Sequence, residues 1–229
     1  MIAAVHLADV GVRSALTMSR NAPDAALVPG LRRAETGIAA PIGTQVLPKP
    51  QFGRAALYTF WDDDASLDRF LASHPLAAKY ASGWHVRLRP LRAYGTWPGV
   101  PADITSARHV EHEGPVAVIT MGRLRASQAV RFLRASAKAS EAALTAAGRL
   151  WSTGIANPPS LFVSTFSLWE SSRASSTYAF GTKDSAHPDA IASGEAEPFH
   201  HQQIFIRFAP YDARGALAGK NPLDAALVS

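Results

Sequence analysis

The sequence predicts an α+β fold: two tandem βαββαβ halves whose sheets pack face to face as an α+β barrel. Two observations carry that expectation. The first is an internal repeat. ALYTFWDDDASLDRFL (56–71) resembles LFVSTFSLWESSRASSTYAF (161–180), and SHPLAAKYASGWHVRLRP (73–90) resembles AHPDAIASGEAEPFHHQQIFIRFAP (186–210). Upstream, MIAAVHLADVGVRSALTMSR (1–20) parallels GPVAVITMGRLRASQAVRFLR (114–134). The second is the order of periods within each half. Apolar alternation marks four strands and helical starts mark two helices, in the order strand, helix, two strands, helix, strand. That order is the ferredoxin-like unit, whose sheet carries helices on one face and leaves the other for a second sheet.

The first half, 1–99, predicts strands near 2–8, 27–33, 54–61 and 84–90, with helices near 11–21 and 65–81. Asp62, Asp63 and Asp64 follow a strand and precede a helix, the place for residues that cap a helix N-terminus. Residues 100–113 read as a connector, with Pro and Gly gathered around it. The second half, 114–208, predicts strands near 115–121, 149–156, 161–169 and 200–208, with helices near 126–148 and 171–196. Residues 209–229 read as a loose C-terminal tail.

Composition narrows the function classes. The 229 residues are 47% hydrophobic, enough for a sizeable core. The chain has no cysteine, which excludes disulfides, cysteine-ligated iron–sulfur clusters and thiolate-ligated haem. His6, Asp9 and Arg13 interrupt residues 1–20, against a secretory apolar core. No apolar run approaches the roughly 18 residues of a membrane-spanning helix. A cytoplasmic protein is expected, with peripheral membrane association compatible with its charge. The net charge is +5, but the arginines are scattered and no nucleic-acid-binding motif surrounds them, so no nucleic-acid partner is expected. Gly-x-Gly-x-x-Gly, Walker and Gly-x-Ser-x-Gly patterns are also absent. His109-Val110-Glu111-His112-Glu113 has helix-like ligand spacing, but it falls in the connector without a third ligand.

Strand alternation divides the last strand of each half into two faces. Ile204, Ile206 and Phe208 are expected against the helices, with His201, Gln203, Phe205 and Arg207 toward the space between the sheets. Trp84, Val86 and Leu88 are likewise assigned to the helices, and His85, Arg87 and Arg89 to that space. A mixed polar and aromatic inner face predicts a ligand pocket between the sheets.

TGIANPPSLFVSTFSLW (153–169), HPDAI (187–191), the Phe199 to Arg207-Phe208 ending and GPVAVITMGRLR with RFL (114–133) together resemble the spheroidene monooxygenase family. Phe60-Trp61 and Tyr94-Gly95-x-Trp97 extend the likeness into the first half. Pro198, Phe199, His200 and His201 replace the family's aromatic-acidic stretch before the last strand. The resemblance implies a dimeric α+β barrel relative: a haem-dependent monooxygenase oxidising an apolar, carotenoid-like or natural-product molecule. It also implies haem b. His187, matching the family's histidine, is the expected axial ligand, and Pro188 behind it suits a helix start. His201 and Arg207 are the expected catalytic pair across the pocket. Arg87 is expected to meet propionates, a role Arg207 also suits, and Phe166, Trp169 and Phe205 to line the slot. Lacking a flavin or nicotinamide motif, such an enzyme would draw electrons from a partner or use peroxide. A homodimer is among the expected assemblies. Two other readings stand beside this one: a cofactor-free monooxygenase of the antibiotic-biosynthesis type, and a non-catalytic protein that holds haem or a small ligand.

Overall fold

The computed structural model describes residues 1–40, 42, 52–107, 110–180 and 198–224. The first half runs β1 (Ile2–Asp9), α1 (Val12–Arg20), β2 (Leu31–Ala40), β3 (Arg54–Trp61), α2 (Asp64–Ser73), α3 (Pro75–Tyr80) and β4 (Trp84–Gly95). The second runs β5 (Val116–Leu124), α4 (Ala129–Thr145), β6 (Arg149–Asn157), β7 (Phe162–Trp169), α5 (Ser172–Phe180) and β8 (His200–Arg214). All neighbouring strands are antiparallel, and they close into one barrel in the order β1-β3-β2-β6-β7-β5-β8-β4. Closure gives each of these strands a neighbour on both sides.

The two halves match residue for residue. Ile2 pairs with Trp61 as Val116 pairs with Trp169, and Ala4 pairs with Arg87 as Val118 pairs with Arg207. Trp61 packs on Phe70 of α2 (5.1 Å between ring centroids) just as Trp169 stacks on Tyr178 of α5 (5.0 Å). Asp63 caps α2 by accepting from the Ser66 N–H at 2.8 Å, and Ser171 accepts from the Ala174 N–H at 3.1 Å at the start of α5. The capping role expected of the aspartate run therefore falls on Asp63, while Asp62 and Asp64 pair with Arg32 and Arg87.

Several boundaries differ from expectation, each for a local reason. β2 begins at Leu31 rather than 27 because Asp24 folds the preceding segment into a turn, accepting from the Ala26 N–H at 2.9 Å. The helix expected over 65–81 breaks at His74-Pro75. His74 Nδ1 accepts from the Leu76 N–H at 3.1 Å, and Pro75 opens α3. β8 runs on to Arg214, pairing with β4 through His85. Within the tail expected to be loose, described residues 215–224 are anchored. Leu217 and Leu223 are buried in the main core, and Asn221 Oδ1 accepts from Trp84 Nε1 at 2.7 Å.

The assignment of strand faces is reversed. Ile204, Ile206, Phe208, Trp84, Val86 and Leu88 share one buried cluster with Val5, Tyr58, Ile119, Ile155 and Phe166, drawn from strands around the whole barrel. That cluster is the barrel interior, and it is packed with apolar side chains. Across it, Ser164 Oγ donates to Tyr58 Oη at 3.1 Å, and burial raises the Tyr58 pKa. The mixed row lies outside, on the barrel's outer face. A closed barrel buries its inner face on every side and so takes the strictly apolar row. The pocket expected between the two sheets is therefore corrected: that space is filled.

Candidate functional site

The helix-covered faces of the two halves are built alike and finished differently. In the first half, Ala4, Ala8, Ala55, Leu57 and Trp61 are buried against residues of α1, α2 and α3 in a second apolar cluster. In the second half the matching positions are less covered. Val118, Thr120, Val163, Ser167 and Phe205 are only half-buried. Thr165, matching fully buried Leu57, is exposed although it stands on an interior strand. α1 is seated closely on β2 and β3, whereas α4 has no comparably close backbone approach to any strand. Phe132 of α4 reaches β8 at its start, meeting the His200 ring at 5.1 Å. Between that contact and α5 no described helix is seated closely on the sheet face.

Strand register defines this floor. One row crosses the sheet through Arg92, Arg207, Val118, Ser167 and Ser152. The next row runs through Tyr94, Phe205, Thr120, Thr165 and Gly154. The first row is cationic at its β4–β8 end, and Arg149 donates to Ser152 Oγ at 3.0 Å at the other. The second row is neutral and low. Trp169, held by Nε1 donating to Ser167 Oγ at 2.9 Å, stacks on Tyr178 and closes one end. A floor of small and aromatic side chains, uncharged apart from guanidinium groups along one margin, suits a broad ligand bearing an anionic group.

The expected site residues separate on this frame. Arg207, Phe205 and Trp169 lie on the second-half floor or its end wall. Phe166 lies inside the barrel, 6.0 Å from Trp84 and 6.1 Å from Trp151 between ring centroids, so it does not share their slot. Arg87 belongs to the equivalent face of the first half, donating to Asp64 at 2.7 Å and to Asp68, with Asp212 at 3.4 Å from its Nε. His201 is the residue skipped where β5 and β8 shift register, and it is exposed. It stands six residues from Arg207, roughly 20 Å along the strand. His187 lies outside the described residues, as does His109.

Arg207 is 8% exposed. Its Nη2 donates to Ser176 Oγ at 2.9 Å, and its buried Nε has no partner. Burial and the nearby Arg92 guanidinium lower its pKa. Ser172 Oγ and Arg149 Nε are also buried without partners. Sequence reasoning missed Ser172 and Ser176. They stand where the first half has Asp64 and Asp68, each pair 108 residues apart like Trp61 and Trp169, so the repeat carried the signal.

A second cleft, of about 530 Å³, lies outside this floor and is lined by Arg32, Arg33, Glu35, Arg123 and Asn157 among others. Its buried carboxylate is already satisfied, since Glu35 accepts from Trp97, Arg33 and Arg123. Among the described residues no cluster of three or more His, Asp or Glu side chains could hold a metal ion.

No family model matches the chain. It is 31% identical over 176 residues to a spheroidene monooxygenase of Rubrivivax gelatinosus, covering 75% of this chain and 66% of that protein. It is 27% identical over 186 residues to the spheroidene monooxygenase of Rhodobacter capsulatus, covering 79% and 76%. A third, from Cereibacter sphaeroides, is 24% identical, and the chain spans 58% of its length. Among solved structures, aldoxime dehydratase in complex with butyraldoxime superposes with a TM-score of 0.52 at 10% identity. That match covers 92% of this chain and 80% of that one, a likeness of fold alone. Three relatives of one name, each aligned over three quarters or more of this chain, show that the chain is similar to the spheroidene monooxygenases.

Proposed function

We propose that the chain is a haem-dependent monooxygenase that oxidises an apolar, polyene-like small molecule on the open floor of its second half. The observation that supports this reading is the exposed Thr165 at the centre of a sheet whose first-half counterpart is fully buried. Sequence kinship to spheroidene monooxygenases supplies the reaction class. The floor suits a macrocycle: it is mostly uncharged, and buried Arg207 with its orphaned Nε lies at the margin where propionates would rest. When bound, haem would supply dioxygen or peroxide activation.

The chain's own residues bind, orient and exclude water. Thr120, Thr165 and Phe205 would support the plane of the ligand, and the Trp169–Tyr178 stack would fix its depth. Arg207 would fix its orientation, and His187 would hold the haem iron, as the family resemblance implies. Oxygen insertion is balanced when one atom of dioxygen enters the substrate and the other leaves as water, with two electrons from an external donor and two protons from solvent. Hydrogen peroxide can replace oxygen and donor together.

The test is a haemin titration followed by absorbance. A saturable Soret band near one equivalent is expected, weakened in His187→Ala and lost in Thr165→Trp, which fills the floor. A protein that stays colourless with haemin, yet consumes oxygen with an electron-rich aromatic substrate, belongs to the cofactor-free reading. An unchanged Soret band in Thr165→Trp places the ligand elsewhere.

A further inference from the structure

The internal repeat puts two buried arginines at one structural position and gives only one of them carboxylates. Arg87 faces Asp64 and Asp68 from α2, with Asp212 at its Nε. Arg207 occupies the same register point, opposite Val118 as Arg87 is opposite Ala4. Its helix, α5, offers Ser172 and Ser176 where α2 offers the two aspartates. Ser176 satisfies one guanidinium nitrogen, and Ser172 Oγ and Arg207 Nε stay buried without partners. Among the described residues no carboxylate pairs with Arg207. Its β4 neighbour opposite is Arg92, a second cation. Burying an arginine without a counter-charge is costly. Arg207 stands in the cationic row of the second-half floor, and Ser172 is the first residue of α5, the helix that also supplies Ser176.

We infer that Arg207, Ser172 and Ser176 form an anion seat that takes a carboxylate carried by the ligand, doing from outside what Asp64 and Asp68 do within the chain for Arg87. The inference rests on the reading that the second-half floor is the ligand site. A planar carboxylate matches the fork of a guanidinium, and the two serine hydroxyls can donate to it. The first half has closed its seat with its own acids and its floor with apolar packing, so each protein has one such site. Two ligands could bring the carboxylate, a haem propionate or an acid group on the polyene substrate.

The experiment compares each acid with its ester. Haemin and haemin dimethyl ester are titrated by absorbance, and parinaric acid and its methyl ester by fluorescence. The titrations use the whole protein and the double variant Ser172→Asp/Ser176→Asp, which installs the first half's acids opposite Arg207. The unmodified protein is expected to prefer the acid at least ten-fold, about 1.4 kcal/mol, in one pair. The double variant is expected to lose that preference while keeping or raising its thermal midpoint. The pair that shows the preference identifies the source. Equal binding of acid and ester in both pairs overturns the seat but leaves haem binding intact. A preference that survives in the double variant also overturns it, because the carboxylate is then read elsewhere. Preference for parinaric acid without haemin binding retains the seat and overturns the haem reading. Failure to bind any of the four probes overturns both.

Discussion

His6 shows what full closure of the first-half layer does to a single side chain. It is 2% exposed, its ring is 5.6 Å from that of His85 and 6.0 Å from that of Tyr80, and its Nε2 has no partner. Burial, then the charges of His85 and Arg87, lowers its pKa to about 3. A base depressed in the fold stays neutral there while the unfolded chain takes up a proton below about 6.5. Its contribution to stability is therefore complete above pH 6.5 and falls as pH drops toward 3, by about 1.4 kcal/mol per unit. Between pH 7 and pH 5 His6 should cost the fold about 2 kcal/mol. Urea unfolding of His6→Leu at both pH values should show a loss on acidification smaller by about that amount. Parallel losses in the variant and the parent would place the acid sensitivity elsewhere. The second-half position that matches His6 is Thr120, so the same sheet point is a sealed imidazole in one half and floor in the other.

At the scale of elements, alternation in the sequence was sufficient to find the strands and the repeat, and insufficient to orient them. In β8 the apolar row Ile204, Ile206, Phe208 and the mixed row Phe205, Arg207 are correctly separated by period two. Which row faces inward depends on closure, a property of eight strands together that no single strand records. The same limit hid the candidate site. Arg207 is conspicuous in the sequence, but its significance lies in the exchange of Asp64 and Asp68 for Ser172 and Ser176, visible only once the two halves are aligned. Elements also carry packing constraints that spacing does not reveal. Gly37 of β2 lies where a Cβ would come 2.7 Å from Ile155 Cγ2 and 2.9 Å from the Ala156 carbonyl oxygen of β6. Backbone cannot yield as a side chain tip can, so Gly37→Ala should destabilise the protein by about 1–3 kcal/mol, read as a lowered thermal midpoint. An unchanged midpoint would show that β6 moves freely against β2.

At the scale of the molecule, two unlike seams hold the halves together. β4 and β8 pair along ten residue pairs, from His85–Arg214 to Gly95–Ile204, with two register shifts. Among the described residues β2 and β6 pair through three residue pairs, Ile38–Ala156, Ala39–Ile155 and Ala40–Gly154. Side chains reinforce the short seam. Thr153 Oγ1 donates to the Ala40 carbonyl at 3.1 Å, and Asn157 Nδ2 donates to the Thr36 carbonyl at 3.1 Å. The ends of the barrel are also closed by different means, Trp97 with Val100 and Ile104 from the connector, and Leu217 and Leu223 from the C-terminal segment. Local opening free energy tracks how much pairing must be broken, so the barrel should open first at β2–β6 while β4–β8 stays paired. Native-state hydrogen exchange tests this directly. Peptides covering 36–40 and 153–157 should exchange at least ten-fold faster than peptides covering 86–94 and 205–213. Asn157→Ala, which removes one of the two side-chain reinforcements, should accelerate the first pair and leave the second unchanged. Uniform protection around the barrel would show instead that the halves open as one cooperative unit, with the packed interior rather than the seams setting the barrier.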